Sequence, residues 1–296
     1  MKTAIIYVFS GTGNTMKACE LYKKEFIENG VETLVCKIEK NAVIPDPLSF
    51  DFIGIAYPIH GFNAPEIVLR FAKTLPKTNK RKEYFIIKTS GEPLKINNIS
   101  SLKLDSILRR KGYILKSEYH YVMPYNMIFR HTDDMAYKMI STLRGLVPIH
   151  VKEILKGESH RLSRVPFGNI IAWIMRIEQP AMKINGKFFK VDGNRCNKCG
   201  LCEKNCPEHN IRINNDGKFE FGKNCIMCTR CSFNCPKDAF GIGLLNGWKV
   251  NGKYSFIKPE QKEIDNHPRY CKKSYERYFK NAIEKIGDKT IDNNVQ

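Results

Sequence analysis

Eight of the eleven cysteines in this 296-residue chain fall in two runs of identical spacing. Cys196, Cys199, Cys202 and Cys206 are followed by Pro207, and Cys225, Cys228, Cys231 and Cys235 by Pro236. Each cysteine of the first run meets its counterpart 29 positions later, as do the prolines and the apolar pair Ile211 and Phe240. The spacing C-x2-C-x2-C-x3-C-P lets three thiolates wrap one iron–sulfur cubane and sends the fourth to its neighbour. Two such runs predict two [4Fe–4S] clusters with crossed ligation. Cys196, Cys199, Cys202 and Cys235 would hold one, and Cys225, Cys228, Cys231 and Cys206 the other. Zinc and disulfides are the competing uses of these thiols. A zinc ribbon needs two CxxC pairs, four ligands in all, whereas each run here offers four thiolates. Disulfides need an oxidising compartment, and Thr3–Phe9 is too short for a secretory apolar core.

A second chemistry-bearing stretch is Ser10-Gly11-Thr12-Gly13-Asn14-Thr15. It follows an apolar strand pattern and precedes an amphipathic helix pattern. A hydroxyl- and glycine-rich turn there aims free N–H groups and hydroxyls at one spot, where a helix N-terminus already favours an anion. It has no lysine, so it is not a Walker loop, and it lacks the third glycine of a dinucleotide fingerprint. Gly241-Ile242-Gly243 likewise lacks the spacing and the preceding strand of a nicotinamide site.

The elements that must position these residues alternate. Strands are expected at 3–9, Val31–Ile38, Asp51–Tyr57, Glu83–Thr89 and Ile114–Met123. Helices are expected after the first loop to Asn29–Gly30, at Ala64–Leu75 and at Leu102–Lys111. Such alternation predicts an α/β fold with a doubly wound parallel sheet, whose ligand sits beyond the carboxyl ends of the strands. Three loops converge there: 10–15, Tyr57–Pro65 and Thr89–Glu92.

The pattern S-x-T-G-N-T resembles the phosphate loop of flavodoxins, and 187–245 resembles the bacterial two-cluster ferredoxins. The whole chain resembles a flavodoxin–ferredoxin fusion: a flavodoxin-like FMN domain at 1–160, a joint at 161–186, a small α+β two-cluster domain at 187–245, and an extension at 246–296. The resemblance implies that Ser10, Thr12, Asn14 and Thr15 grip the FMN phosphate, with Gly11 and Gly13 giving it room. It also implies that Tyr57, Pro58, Ile59, His60, Gly61 and Phe62 meet the flavin ring, together with Thr89, Ser90 and Gly91. Gly61 would be the peptide that flips with flavin redox state, and His60 either a proton partner or packing. This chain departs from many flavodoxins in being basic and in showing no obvious Trp–Tyr pair for the ring.

The formal charge is +19, falling to roughly +13 with two clusters and FMN bound. The lysines spread along the chain and no nucleic-acid motif accompanies them, so nucleic acid is not expected. The basic surface is either simply solvated or a docking face for an acidic redox partner, a ferredoxin or flavodoxin-like carrier. The longest apolar run, Val165–Ile177, is interrupted and too short to span a bilayer, which points to a cytoplasmic protein. Pro166–Ile177 is expected to form an apolar helix or hook in the seam between domains, with membrane-surface contact as the alternative.

Other expectations concern the joints. Asp133 or Asp134 would cap a helix to Leu146 that Pro148 breaks. Trp248–Ile257 would form a hairpin turning at Asn251-Gly252, and Tyr270–Ile286 a basic helix. Cys19 and Cys36 read as packing residues. With independent domains, Cys228→Ser would damage one cluster and leave flavin content nearly unchanged. The function expected is electron transfer between the clusters and FMN, linking a low-potential donor to a redox partner. The alternatives are an FMN-dependent reductase of a quinone, disulfide or nitro compound, and a redox-sensing module whose flavodoxin fold is empty.

Overall fold

The computed structural model describes residues 1–260 and 269–287. Strand β1 (Lys2–Val8) alternates its side chains between two cores: Ala4, Ile6 and Val8 face one, Ile5 and Tyr7 the other. A strand buried on both faces must lie inside a sheet. It does so, between β2 (Val31–Lys37) and β3 (Phe52–Pro58), followed by β4 (Lys82–Ser90) and β5 (Tyr113–Val122). All pairings are parallel and the order is β2-β1-β3-β4-β5, the flavodoxin-like order with its switch point at β1 and β3.

Helices α1 (Asn14–Glu28) and α4 (Asp133–Leu155) cover one face, and α2 (Glu66–Thr74) and α3 (Leu102–Arg109) the other. The expected elements are present with ends shifted by one or two residues, apart from α4. That helix is capped by Thr132, whose hydroxyl accepts the Met135 N–H at 3.2 Å, and it runs unbroken through Pro148. The missing proline N–H is tolerated because the buried stripe Leu143, Leu146, Val147, His150, Val151 and Ile154 continues across it.

After α5 (Gly168–Met175) and α6 (Glu178–Gly186) comes the cysteine-rich unit, which folds as a two-fold repeat. Strands β6 (Lys190–Val191) and β9 (Phe240–Gly241) pair, as do β7 (Ile211–Ile213) and β8 (Phe219–Phe221). Short helices α7 (Leu201–Lys204) and α8 (Arg230–Phe233) follow corresponding cysteines. Left-handed backbone recurs with the same period: Lys198 and Met227, Gly200 and Thr229, His209 and Asp238. The 29-residue repeat of the sequence is therefore also a repeat of backbone conformation.

The expected hairpin at 248–257 does not form; this segment caps other elements. The Asn251 amide donates to the carbonyls of Ser232 (2.7 Å) and Cys235 (3.1 Å), and Arg130 takes the carbonyls of Asn251, Gly252 and Lys253. Those acceptors are occupied by side chains instead of a partner strand. Tyr254 and Phe256 join the core beneath α1 and α4. Helix α9 (Lys272–Ile286) packs on α4 with Tyr275, Phe279 and Ala282 buried. Cys19 is fully buried, as expected for packing, while Cys36 is only partly so. Among the described residues no helix is long and apolar enough to cross a membrane.

His150 of α4 carries a pH consequence. Its ring stacks on Tyr119 at 4.2 Å and its Nδ1 meets the Tyr121 hydroxyl at 2.5 Å. Burial, aided by Lys285 and His160, pushes its pKa down to about 2. The folded state keeps this imidazole neutral, whereas the unfolded chain takes up a proton near pH ~6.5, so stability falls as pH drops through that value. Between about pH 7 and about pH 5.5 the parent is expected to lose about 1 kcal/mol more than His150→Gln. Urea midpoints at the two pH values measure this, and equal slopes would refute it.

Candidate redox site

Between β1 and α1 the chain reverses within five residues, and Gly13 makes this possible with a φ of 106°. The Ser10 hydroxyl accepts the N–H groups of Gly13 (3.2 Å) and Met16 (3.3 Å), fastening the loop to the first helical turn. The N–H groups of Gly11, Thr12, Asn14 and Thr15 find no protein acceptor among the described residues. No acidic residue occupies the first turn of α1. Unpartnered donors at the head of a 15-residue helix suit an anion. Asn14 donates to the Pro124 carbonyl at 2.7 Å, and the Thr15 and Thr89 hydroxyls meet at 2.7 Å, tying this loop to the ends of β4 and β5.

A cavity of about 280 Å³ opens over the carboxyl ends of the strands. The first loop contributes Ser10, Gly11, Thr12, Asn14 and Thr15, the second Pro58 to Phe62, and the third Thr89, Ser90 and Gly91. Of the residues singled out in the sequence, only Gly13 and Tyr57 do not line it. Gly13 makes the turn. Tyr57 needs correction: it follows Ile53 and Ile55 on the period-two face of β3 and is fully buried beneath α2 and α3.

The second loop is a tight turn in which His60 and Asn63 exchange backbone hydrogen bonds of 3.0 and 2.8 Å. Both central residues, Gly61 (φ 48°) and Phe62 (φ 57°), have positive φ, the pattern of a type I′ turn. Phe62 is strained there by roughly 1–2 kcal/mol. The Asn63 amide donates to the Gly61 carbonyl at 2.9 Å, so that peptide is held. A Cβ at Gly61 would also strike the Glu178 carboxylate at 1.9 Å. Half-buried His60 sets its ring against Phe9, and burial holds its pKa down to about 4, so it is neutral at pH 7.

The remaining wall comes from residues the sequence reading missed. Met123 to Ile128 follow β5, Glu178 and Met182 project from α6, Met227 comes from the second cysteine run, and Trp248 from beyond it. Tyr125 and Trp248 supply the aromatic pair that no local motif announced. Tyr125 stacks on His131 and donates to Glu92, whose carboxyl burial pushes up. Half-buried Glu178 is pushed the same way. Nothing local could have marked these residues, since they are assembled from four separate segments.

The cysteines gather in two neighbouring groups. One small cavity is lined by Cys196, Cys199, Cys202, Cys231 and Cys235. Cys225, Cys228 and Cys231 are held high mainly by burial, and the neighbouring Cys206 raises all three further; Cys225 reaches about 12 and Cys228 about 11. Backbone N–H groups donate to sulfur at Cys196 (from Lys198, 3.4 Å), Cys206 (from Asn210, 3.2 Å) and Cys235 (from Ala239, 3.3 Å). Such donors suit bound thiolates. Among the described residues no three metal-ligating side chains converge on a single-ion site. In a cubane each thiolate takes its own iron, so the sulfurs stand apart.

The two sites touch. A Cβ on Gly11 would meet the Cys228 carbonyl oxygen at 2.5 Å. Arg230 lies across the joint, donating to the carbonyls of Ser10 (2.7 Å), Gly11 (3.1 Å) and Asn205 (2.9 Å) and to Glu39 (2.8 Å). Gly11→Ala is therefore expected to push the first loop away from the second cysteine run, at a cost of about 1–3 kcal/mol. Thermal unfolding would register it as a lowered midpoint, and an unchanged midpoint would show that the contact is slack.

Residues 195–240 match the 4Fe-4S dicluster domain family. No curated protein matches this chain. Among solved structures, the chain is similar to a short-chain flavodoxin associated with a non-canonical PDU bacterial microcompartment, at 16% identity over 54% of this chain and 100% of that one, TM-score 0.39. It is similar to oxidised flavodoxin 1 from Bacillus cereus, at 15% identity over 53% of this chain and 98% of that one, TM-score 0.38. It is also similar to an NADH:FMN oxidoreductase in its apo form, at 13% identity over 56% and 98%, TM-score 0.41. By strand order and by family match, the chain joins a flavodoxin-like sheet to a 4Fe–4S domain.

Proposed function

We propose that this chain is an electron-transfer protein in which a flavodoxin-like unit, 1–160, binds FMN and a ferredoxin-like unit, 187–245, binds two [4Fe–4S] clusters. One observation carries the reading: the second cysteine run is part of the wall of the flavin-sized cavity. Met227 lines that cavity and the Cys228 carbonyl abuts Gly11. When bound, the clusters supply one-electron transfer at low potential and the flavin takes up one or two electrons.

The chain's own residues fit these groups. The four free N–H groups of the first loop suit a phosphate, and no fixed negative charge in the first turn of α1 opposes it. Tyr125, Trp248 and the methionines 123, 182 and 227 offer apolar and aromatic surface to a planar ring. Asn63 orients the Gly61 peptide toward its own side chain. The cysteine sets 196/199/202/235 and 225/228/231/206 have the donor chemistry of cubanes. Redox partners are acidic carriers, drawn by the +19 charge.

Anaerobic purification with iron, sulfide and flavin quantified on one sample tests this. About eight irons and about one FMN per chain are expected. Zinc in place of iron, or a chain without flavin, would overturn it. A second reading, direct reduction of a small molecule at the flavin, is favoured by Glu178, a half-buried carboxyl raised by burial and set against Gly61. It would make Glu178 a proton donor, so Glu178→Gln would slow turnover of a quinone or nitro acceptor and leave one-electron transfer to a carrier intact. Equal effects on both would dismiss it.

A further inference from the structure

Helices α5 and α6 are amphipathic the wrong way round for a protein interior. Phe167, Ile170, Trp173, Ile174, Ile177, Ile184 and Phe188 recur at helical spacings of three and four, and all are exposed: Phe167 at 78%, Trp173 at 68% and Ile177 at 72%. The side turned inward is thin, with Gly168, Ala172, Asn185 and Gly186 buried. This departs from the expectation that Pro166–Ile177 would fill the seam between the units. Only the inner edge of α6, through Glu178 and Met182, reaches the cavity. Phe167 sits at φ 55° at the head of α5, a left-handed conformation that is rare for an aromatic residue, and it projects into solvent.

The charge around this face is one-sided. Between 161 and 190 lie six basic residues and a single acidic one, Glu178, which turns inward to the cavity. Lys183 is held by Glu66 at 2.8 Å, and Arg161 leans on Glu118. Arg164, Arg176, Lys187 and Lys190 form no ion pair among the described residues. Beside Phe167 a groove brings Arg109, Arg161 and Arg164 together with Ile99 and Ile170; its carboxylates are Asp105 and Glu118, and Glu118 is paired with Lys88 and Arg161.

We infer that the outer face of α5 and α6 docks on an anionic phospholipid bilayer. An apolar stripe rich in Trp, Phe and Ile and rimmed by arginine and lysine matches an interfacial helix, whose apolar side enters the acyl boundary while cations meet headgroup phosphates. A protein partner would need a shaped apolar groove for the stripe, whereas a bilayer takes it without one, and the unpaired cations of 161–190, with Glu178 their only acid in that segment, favour a uniformly anionic surface. The helices lie along that surface and do not cross it. This inference is independent of the cofactor assignment.

The test is flotation of the anaerobically purified holoprotein with vesicles of phosphatidylcholine alone or of equal parts phosphatidylcholine and phosphatidylglycerol. Binding is expected only to the anionic vesicles, weakening as salt rises. Trp173→Asp combined with Ile177→Asp should lower partitioning at least ~10-fold with iron content and melting temperature unchanged. Arg164→Glu with Arg176→Glu should do the same without touching the apolar stripe. Lys272→Glu with Lys273→Glu, on α9, should leave binding intact, which separates a local face from net charge. No binding to the anionic vesicles would overturn the inference, as would equal loss with the α9 variant. A parent dimer that Trp173→Asp converts to monomer would also overturn it, because a second copy would then cover the face.

Discussion

Serine at position 228 is expected to halve the iron and, in the same sample, to loosen the flavin. Iron should fall from about eight to about four per chain, because a hydroxyl replaces one thiolate of one cubane. Considered as separate domains, the chain would keep its flavin. The contacts say otherwise. The Cys228 carbonyl abuts Gly11 of the first loop, Met227 lines the cavity proposed for the flavin, and the Thr229 hydroxyl donates to the Asn126 carbonyl at 3.4 Å. Without its cluster, the loop from Cys225 to Cys231 loses the group that holds its left-handed residues Met227 and Thr229 in place. FMN affinity should then weaken about tenfold, or about 1.4 kcal/mol. Cys199→Ser is the control: Cys199 is exposed and belongs to the other cysteine set, so it should cost as much iron and no flavin. Flavin titration of both variants decides the matter. Equal affinities would mean that the two sites touch without supporting each other.

Arg230→Ala is expected to be the most damaging change outside the cysteines. The guanidinium is only 16% exposed and makes four hydrogen bonds, two to phosphate-loop carbonyls, one to Asn205 beside Cys206 and one to Glu39 after β2. Its removal leaves those carbonyls without their donors in a half-closed seam. Glu39 is a third exposed, so water recovers part of that pair. A loss of about 2–3 kcal/mol follows. Lysine should rescue little, since a single ammonium cannot span carbonyls on both units the way a planar fork does. The readouts are a lowered melting midpoint, raised flavin release and slower electron passage from clusters to flavin after a reducing pulse. Normal stability with fast passage would show that Arg230 merely decorates the joint.

Much of this protein was legible before any coordinates. A strand buried on both faces writes an unbroken apolar run, as in 3–9, and the cubane imposes its cysteine spacing through bond lengths and angles that do not depend on context. The loop at 10–15, proposed to hold a phosphate, is equally local, since glycines, hydroxyls and the helix head lie within six residues. Tyr57 was given to the loop that follows β3, yet it is still within the strand and shares the face of Ile53 and Ile55, so its side chain goes beneath α2 and α3. Pro148 and Asn251-Gly252 misled for a related reason. Their local preferences amount to a few kcal/mol or less, and a continuous buried stripe in one case and Arg130 in the other outweigh them.

The residue types and their spacing determined by themselves that this chain pairs a parallel α/β sheet with a duplicated cysteine unit, because both patterns are dictated by neighbours along the chain. Only the tertiary structure decided that the two units share a wall, with Met227, Trp248 and Glu178 lining one cavity with Gly11 and Gly61, and Arg230 hydrogen-bonded to the Gly11 carbonyl. Only it decided, too, that Trp173 faces outward. Burial lowers the free energy of an apolar side chain whatever it is buried against, so an apolar stripe in a sequence announces a contact without naming the partner.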